Sequence, residues 1–151
     1  MELYDSQSSK ALDLALTSGD VEGSLLMMRA AEAVWSEIKL SRRICRIFCI
    51  VGSGNNGGDA LGVACLALID NQVVEVTKLS TISTGSQPIL QLALSIGVPI
   101  SDKLPLLSEI SNGDLIIDGC FGVGLNRKPS GASKAAIDWM NSARGKGVRI
   151  I

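Results

Sequence analysis

Apolar positions along this chain recur with two periods, and the period changes at glycine-rich breaks. Residues 5–17 and 22–39 carry apolar side chains at helical spacing, with Asp20, Gly23 and Ser24 as start signals between them. Two helices are therefore expected to lead the chain. Residues 44–51 form a compact β-rich run punctuated by Arg46 and stopped at Gly52, the pattern of a buried strand ending in a tight loop. Helical periodicity resumes over 59–70, with Leu61, Ala64, Cys65 and Leu68 on one side, and 73–77 predicts a second strand. Further along, 87–96 reads as a helix closed by Gly97, 104–110 as another helix, and 115–118 as a strand. A last helix is expected over 130–141, with Gly145 beyond its end, and 148–151 begins another strand.

Strands alternating with helices predict the α/β class: a three-layer, Rossmann-like, doubly wound and mostly parallel sheet with N-terminal helices. No repeat, low-complexity tract or linker divides the chain, so residues 1–151 are expected to form a single domain. The sequence stops inside a β-rich run with no following helix to cover it. The domain is thus expected to be incomplete at its C-terminus, with a final strand that tends to associate; an ordinary exposed edge strand is the competing reading.

Composition narrows the function. With 151 residues and 46% hydrophobic side chains the chain can bury a real core. A formal charge of -1 gives no footprint for nucleic acid or an acidic membrane, so small molecules are the expected partners. The apolar runs are too short to span a bilayer, and Met1-Glu2-Leu3-Tyr4-Asp5 lacks the layout of a secretory signal, so a cytoplasmic protein is expected. The four cysteines, Cys45, Cys49, Cys65 and Cys120, lack the spacing of zinc or redox motifs and are expected to be buried, reduced thiols. Histidine is absent, which removes the usual zinc ligand, the Ser-His and Cys-His pairs and the commonest general base. Chemistry must come from carboxylates, amides, hydroxyls, lysines, backbone groups, or a metal held by oxygen.

Two loops carry candidate chemistry. The first, Gly52-Ser53-Gly54-Asn55-Asn56-Gly57-Gly58-Asp59, lies between a strand and a helix and satisfies the pattern G-x-G-x-x-G. Its glycines allow positive φ and close backbone approach, so several amide hydrogens can aim at an anion. Asp59, expected in the first helical turn, would repel a pyrophosphate lying on the helix end as in dehydrogenases. A plain turn capped by Asp59 is the competing reading. The second loop runs from Asp118 through Gly119, Cys120, Phe121, Gly122, Val123, Gly124, Leu125 and Asn126 to Arg127 and Lys128. Asp118 closes a strand whose carboxyl end should lie on the same sheet edge as the first loop, so both loops should face one crevice. Its carboxylate and the amide oxygen of Asn55 or Asn56 are hard ligands suited to an alkali or alkaline-earth cation. Gly122 and Gly124 let backbone amides approach phosphate; Arg127 and Lys128 suit phosphate pairing and solvated surface positions equally. Asp118 alone also suits the role of a turn cap.

At these residues the sequence resembles the NAD(P)H-hydrate epimerase family, the YjeF N-terminal domain. The resemblance rests on GSGNNGGD at 52–59 and DGCFGVGLNRKPSG at 118–131, with a weaker match in LLMMRAAEAV at 25–34. It implies a homodimeric, Rossmann-like isomerase that interconverts the R and S epimers of hydrated NADH and NADPH and binds one K+ per subunit. By matching positions it places Asn55, Asn56, Gly57, Gly58 and Asp59 on the substrate, forms a second substrate loop from Gly122 to Lys128, and assigns potassium to Asn56 and Asp118. Met28 stands where the family usually has glutamate, and Ala31 and Ala60 replace usual glycines, for which modest packing changes are expected. The family continues past the strand at 148–151 into an Asp-x-Pro-Ser-Gly segment that supplies a further substrate contact and potassium ligand. In many bacterial relatives a C-terminal dehydratase domain follows. With no histidine present, Asp59 is the expected acid/base within these residues, the Asp-x-Pro-Ser-Gly segment being the alternative source.

Two other functions compete. One is a dehydrogenase-type NAD domain in which Glu75, at the end of the second strand, binds the ribose hydroxyls. The other is a non-catalytic, Rossmann-like nucleotide-binding or scaffold module, against which the chain's Asn56, Asp59 and Asp118 weigh.

Overall fold

A computed structural model describes residues 20–40, 44–122, 125 and 128–151, the side chains of 20–22 excepted. The helix expected over 5–17 lies outside the described residues. The elements in chain order are α1 (Asp20–Lys39), β1 (Ile47–Val51), α2 (Asn55–Ile69), β2 (Val74–Lys78), α3 (Gln87–Ser95), β3 (Ile100–Ser101), β4 (Leu115–Gly119), α4 (Gly131–Arg144) and β5 (Arg149–Ile150). Short 3-10 turns sit at Thr84–Ser86 and Leu107–Glu109.

The five strands pair in parallel in the order β3-β2-β1-β4-β5. All five residues of β1 are buried, as a central strand covered on both faces requires, which is why its sequence is a continuous apolar run. Its side chains alternate between two cores. Ile47, Cys49 and Val51 pack with α1, α2 and α3; Phe48 and Ile50 pack with Ala136, Trp139, Met140 and Ala143 of α4. The result is the expected α/β sandwich of helix, sheet and helix, a Rossmann-like doubly wound fold.

Handedness explains the placement of the helices. From β1 the chain steps outward to β2 and β3, with α2 and α3 on one face; from β4 it steps the other way to β5, with α4 on the opposite face. Right-handed crossovers stepping in opposite directions must use opposite faces. The strand order therefore reverses between β1 and β4, and the crevice at their carboxyl ends is where such sheets take ligands.

Three expectations need correction. The helix predicted from residue 59 begins at Asn55, inside the glycine run, because packing overrides the poor helix propensity of Gly57 and Gly58. Residues 104–110 contain only the 3-10 turn, since Leu104 precedes a proline and tertiary bonds pin the segment. The tertiary tie is Trp139 Nε1, which donates to the Pro105 carbonyl (2.8 Å); within the turn itself the Leu106 amide donates to Glu109 Oε2 (2.9 Å). Finally, Cys45 is exposed, whereas Cys49, Cys65 and Cys120 are buried free thiols as expected.

At the amino end of the sheet, Asp114 is fully buried and accepts from Arg46 Nε (3.2 Å), Arg46 Nη2 (2.8 Å), the Ser111 amide (2.9 Å) and Ser111 Oγ (3.2 Å). Arg46 also donates to the Glu109 carbonyl and lies 5.1 Å from the Phe48 ring centroid. The charge that interrupts the apolar run thus ties β1 to the entry of β4.

Candidate active site at the switch point

The two glycine loops meet at the carboxyl ends of β1 and β4, which run side by side with Ile50 opposite Asp118 and Val51 opposite Gly119. The Gly52 amide donates to the Gly119 carbonyl at 3.0 Å, carrying the ladder into the first loop. Asn56, in the first turn of α2, then bridges the crevice: its Nδ2 donates to the Asp118 carbonyl (3.1 Å) and to the Phe121 carbonyl (2.9 Å). With two carbonyl acceptors on the nitrogen, the amide orientation is fixed and Oδ1 is the atom turned away from them.

This contact demands that backbone lie almost on backbone. A Cβ on Gly57 would fall 2.1 Å from the Gly52 carbonyl oxygen, and one on Gly119 would fall 2.6 Å from Ala60 Cβ. The glycines of the first loop serve this close approach of the chain to itself. None of them has positive φ, which tells against the competing reading of a plain left-handed turn.

Asp59 lies in the second turn of α2, not the first, and the N-cap is Gly54. Asp59 is three residues beyond Asn56 and next to Ala60, which packs on Gly119, so it follows Asn56 along the flank of α2 that faces β4. The first bond of the helix runs from the Gly58 amide to the Gly54 carbonyl (3.2 Å). The amides of Asn55, Asn56 and Gly57 therefore have no partner within the helix and present partial positive charge at the crevice. With Asp59 one turn back, the expected repulsion of an anion at the helix end is weaker than a first-turn carboxylate would give.

The Asp118 side chain is exposed at the mouth, and its Oδ1 accepts the Cys120 amide at 3.0 Å. Burial, then the Asp118 charge and hydrogen bond, push the Cys120 thiol well above its ordinary value, which favours the neutral thiol over the thiolate. In the second loop Gly122, Leu125 and Lys128 are exposed, and the Leu125 amide donates to the Gly122 carbonyl (3.4 Å). Val123, Gly124, Asn126 and Arg127 lie outside the described residues. Among the described residues no three histidine, cysteine or acidic side chains converge as a metal site. The hard oxygens carried by this corner, the Asp118 carboxylate and Asn56 Oδ1, are a donor type that suits a weakly charged hard ion, while the contact between the two residues runs through the Asp118 main-chain carbonyl.

Glu75 is not at the end of β2. It is the second residue of that strand, opposite Phe48, whereas Lys78 occupies the carboxyl end opposite Val51. The dehydrogenase reading loses its ribose-binding acid. Sequence reasoning also missed the Phe121 carbonyl, a main-chain acceptor for which no side chain gives a signal.

A parallel sheet with a glycine-lined helix start and a carboxylate at its switch point defines a doubly wound α/β protein, a class that takes its ligands at that point. Residues 23–150 match the family described as YjeF-related protein N-terminus, and the chain belongs to that family. It is 32% identical over 136 residues to an NAD(P)H-hydrate epimerase of Oenococcus oeni, covering 87% of this chain and 63% of that relative. It is 39% identical over 98 residues to the bifunctional NAD(P)H-hydrate repair enzyme Nnr of Synechocystis sp., covering 64% of this chain and 18% of the relative. The crystal structure of yeast ynu0, YNL200c, superposes with a TM-score of 0.79 at 18% identity, over 99% of this chain and 68% of the yeast chain, a likeness of fold. Among the described residues no helix is long and apolar enough to cross a membrane.

Proposed function

We propose that this chain forms the substrate corner of an NAD(P)H-hydrate epimerase, an isomerase of nicotinamide cofactor repair. The observation that carries the reading is the Asn56 amide bridging to the Asp118 and Phe121 carbonyls, with Asp59 three residues along the same flank of α2. The relatives' names point the same way, although the chain spans only 63% of the first of them.

The hydrated ring carries a hydroxyl on the carbon next to its nitrogen. The nitrogen lone pair forms the C=N bond of an iminium as the C–O bond breaks, and the departing oxygen takes a proton to leave as water. Water adding to the opposite face forms the new C–O bond with its lone pair while the C=N pair returns to the nitrogen, and the bound water gives up a proton. Asp59 is assigned as the group that donates the first proton and receives the second. The helix-end amides of Asn55, Asn56 and Gly57, with Gly58 and the loop from Gly122 to Lys128, hold the phosphates. Asn56 and Asp118 are assigned to one potassium ion per subunit, which supplies charge balance beside the nucleotide. The native protein is assigned to the cytoplasm as a homodimer, and a C-terminal dehydratase domain like that of the bifunctional relatives is a further element of the reading.

Calorimetric titration of the native protein with hydrated NADH and with intact NADH tests it. Hydrate should bind more tightly; equal or tighter binding of undamaged NADH would favour an ordinary dinucleotide domain. Asp59→Asn should lower epimerase turnover by roughly 100-fold or more, the scale of general acid–base catalysis. Full activity in that variant removes Asp59 from the mechanism.

A further inference from the structure

We infer that Lys78 selects the 2′-phosphorylated dinucleotide, so that hydrated NADPH is preferred over hydrated NADH; the inference rests on the epimerase reading of the crevice. In doubly wound sheets the strand that follows the glycine loop and its helix ends beside the adenosine ribose. An acid at that end binds the ribose hydroxyls, and a basic residue nearby accommodates a 2′-phosphate. Here the end of that strand is Lys78, level with Val51, the last residue before Gly52. The one acid of β2, Glu75, sits three residues lower, beside Phe48.

The segment after Lys78 is fastened to the first loop. The Leu79 amide donates to the Val51 carbonyl (2.9 Å) and the Ser83 amide to the Ser53 carbonyl (2.9 Å). Between these ties, Ser80 and Thr81 are exposed in the segment that directly follows Lys78. On the other side, Thr77 Oγ1 donates to the Lys103 carbonyl (3.3 Å) and the Lys103 amide to Ser101 Oγ (3.0 Å), which fixes the turn carrying Asp102 and Lys103.

Asp102 lies 3.4 Å from Lys78 Nζ and its side chain is 78% exposed. An ion pair so open to water is weak and readily exchanged for a dianionic phosphate. Lys78 and Lys103 against Asp102 leave one net positive charge at this edge. Asp102 acts as a placeholder that keeps Lys78 directed along the sheet edge when no phosphate is bound.

The test is calorimetric titration of the native protein with ADP-ribose and with its 2′-phosphorylated form, reading the ratio of the two affinities. One charge-assisted contact predicts a ratio of about tenfold or more for the wild type. Lys78→Gln should bring it close to one, Lys78→Arg should restore it, and Asp102→Asn should raise it. A wild-type ratio near one, or a ratio unchanged in Lys78→Gln and Asp102→Asn, overturns the inference while leaving the dinucleotide site standing. Failure of both ligands to bind overturns the dinucleotide reading itself and the inference with it.

Discussion

Substituting Gly57 by alanine would test whether the glycine run exists to let the chain approach itself. The new Cβ would lie 2.1 Å from the Gly52 carbonyl oxygen, 2.9 Å from its carbon and 3.1 Å from its nitrogen. Neither side yields easily. The Gly52 amide is tied to Gly119 at 3.0 Å, and Gly57 belongs to the helical turn that carries Asn56. Overpacking against side chains costs about 1–3 kcal/mol, and a clash between two backbone segments belongs at the upper end, about 3 kcal/mol. Alanine recovers about 0.5–1 kcal/mol of intrinsic helix preference over glycine, which leaves a net loss of about 2 kcal/mol. For a domain of this size that corresponds to a fall in Tm of about 4–8 °C. Gly54→Ala is the control from the same motif: Gly54 has φ -87 and no heavy atom within 4 Å of its added Cβ. Because Gly54 is the N-cap, where alanine is less favourable than glycine, its loss should reach at most about 1 kcal/mol, well short of that at Gly57. Thermal unfolding followed by circular dichroism reads both. Equal Tm values for Gly57→Ala and the wild type, or equal losses at both glycines, would refute the steric argument.

Two further outcomes are expected. Asp114→Ala removes a buried carboxylate with four hydrogen bonds and should cost about 3 kcal/mol in denaturant unfolding, since Arg46 and the Ser111 amide lose their partner; a loss under about 1 kcal/mol would deny the clamp its role. Asp70 receives the Trp35 indole N–H (2.7 Å) and pairs with Lys39 (2.9 Å), and these two contacts, the indole first, hold its carboxyl below the usual value of 3.8. A lowered carboxylate adds stability that is present above its unfolded value and is lost as pH falls through its folded value. Tm measured from pH 5 down to about pH 2 should therefore fall less steeply in Asp70→Asn than in the wild type; parallel curves would contradict this.

Much of the site was legible because the sheet-edge rule acts at the level of pattern. Two apolar runs, each ending in a glycine loop, put the helix start that carries Asn56 beside the end of β4 at Asp118, and the Asn56 side chain bonds to the Asp118 carbonyl at 3.1 Å. What failed to show was set by tertiary contacts. Gly57 and Gly58 read as loop because propensity disfavours them in a helix, yet Gly52, Met27 and Ser86 leave no room for side chains there. Glu75 has the sequence distance expected of a ribose ligand, but β2 ends three residues later than that spacing assumes, so the strand end is Lys78 instead. β3 spans only Ile100–Ser101, too short to show a period. Arg46 looked like a flaw in a strand because its partner Asp114 is 68 residues away.

The most direct measurement supplies the native protein with a single purified epimer of hydrated NADPH and follows the other epimer by chromatography. The account predicts that the equilibrium mixture is reached far faster than in buffer, and that Asp59→Asn largely abolishes the acceleration. Interconversion no faster than in buffer, by a folded wild-type protein that binds the hydrate, would contradict it.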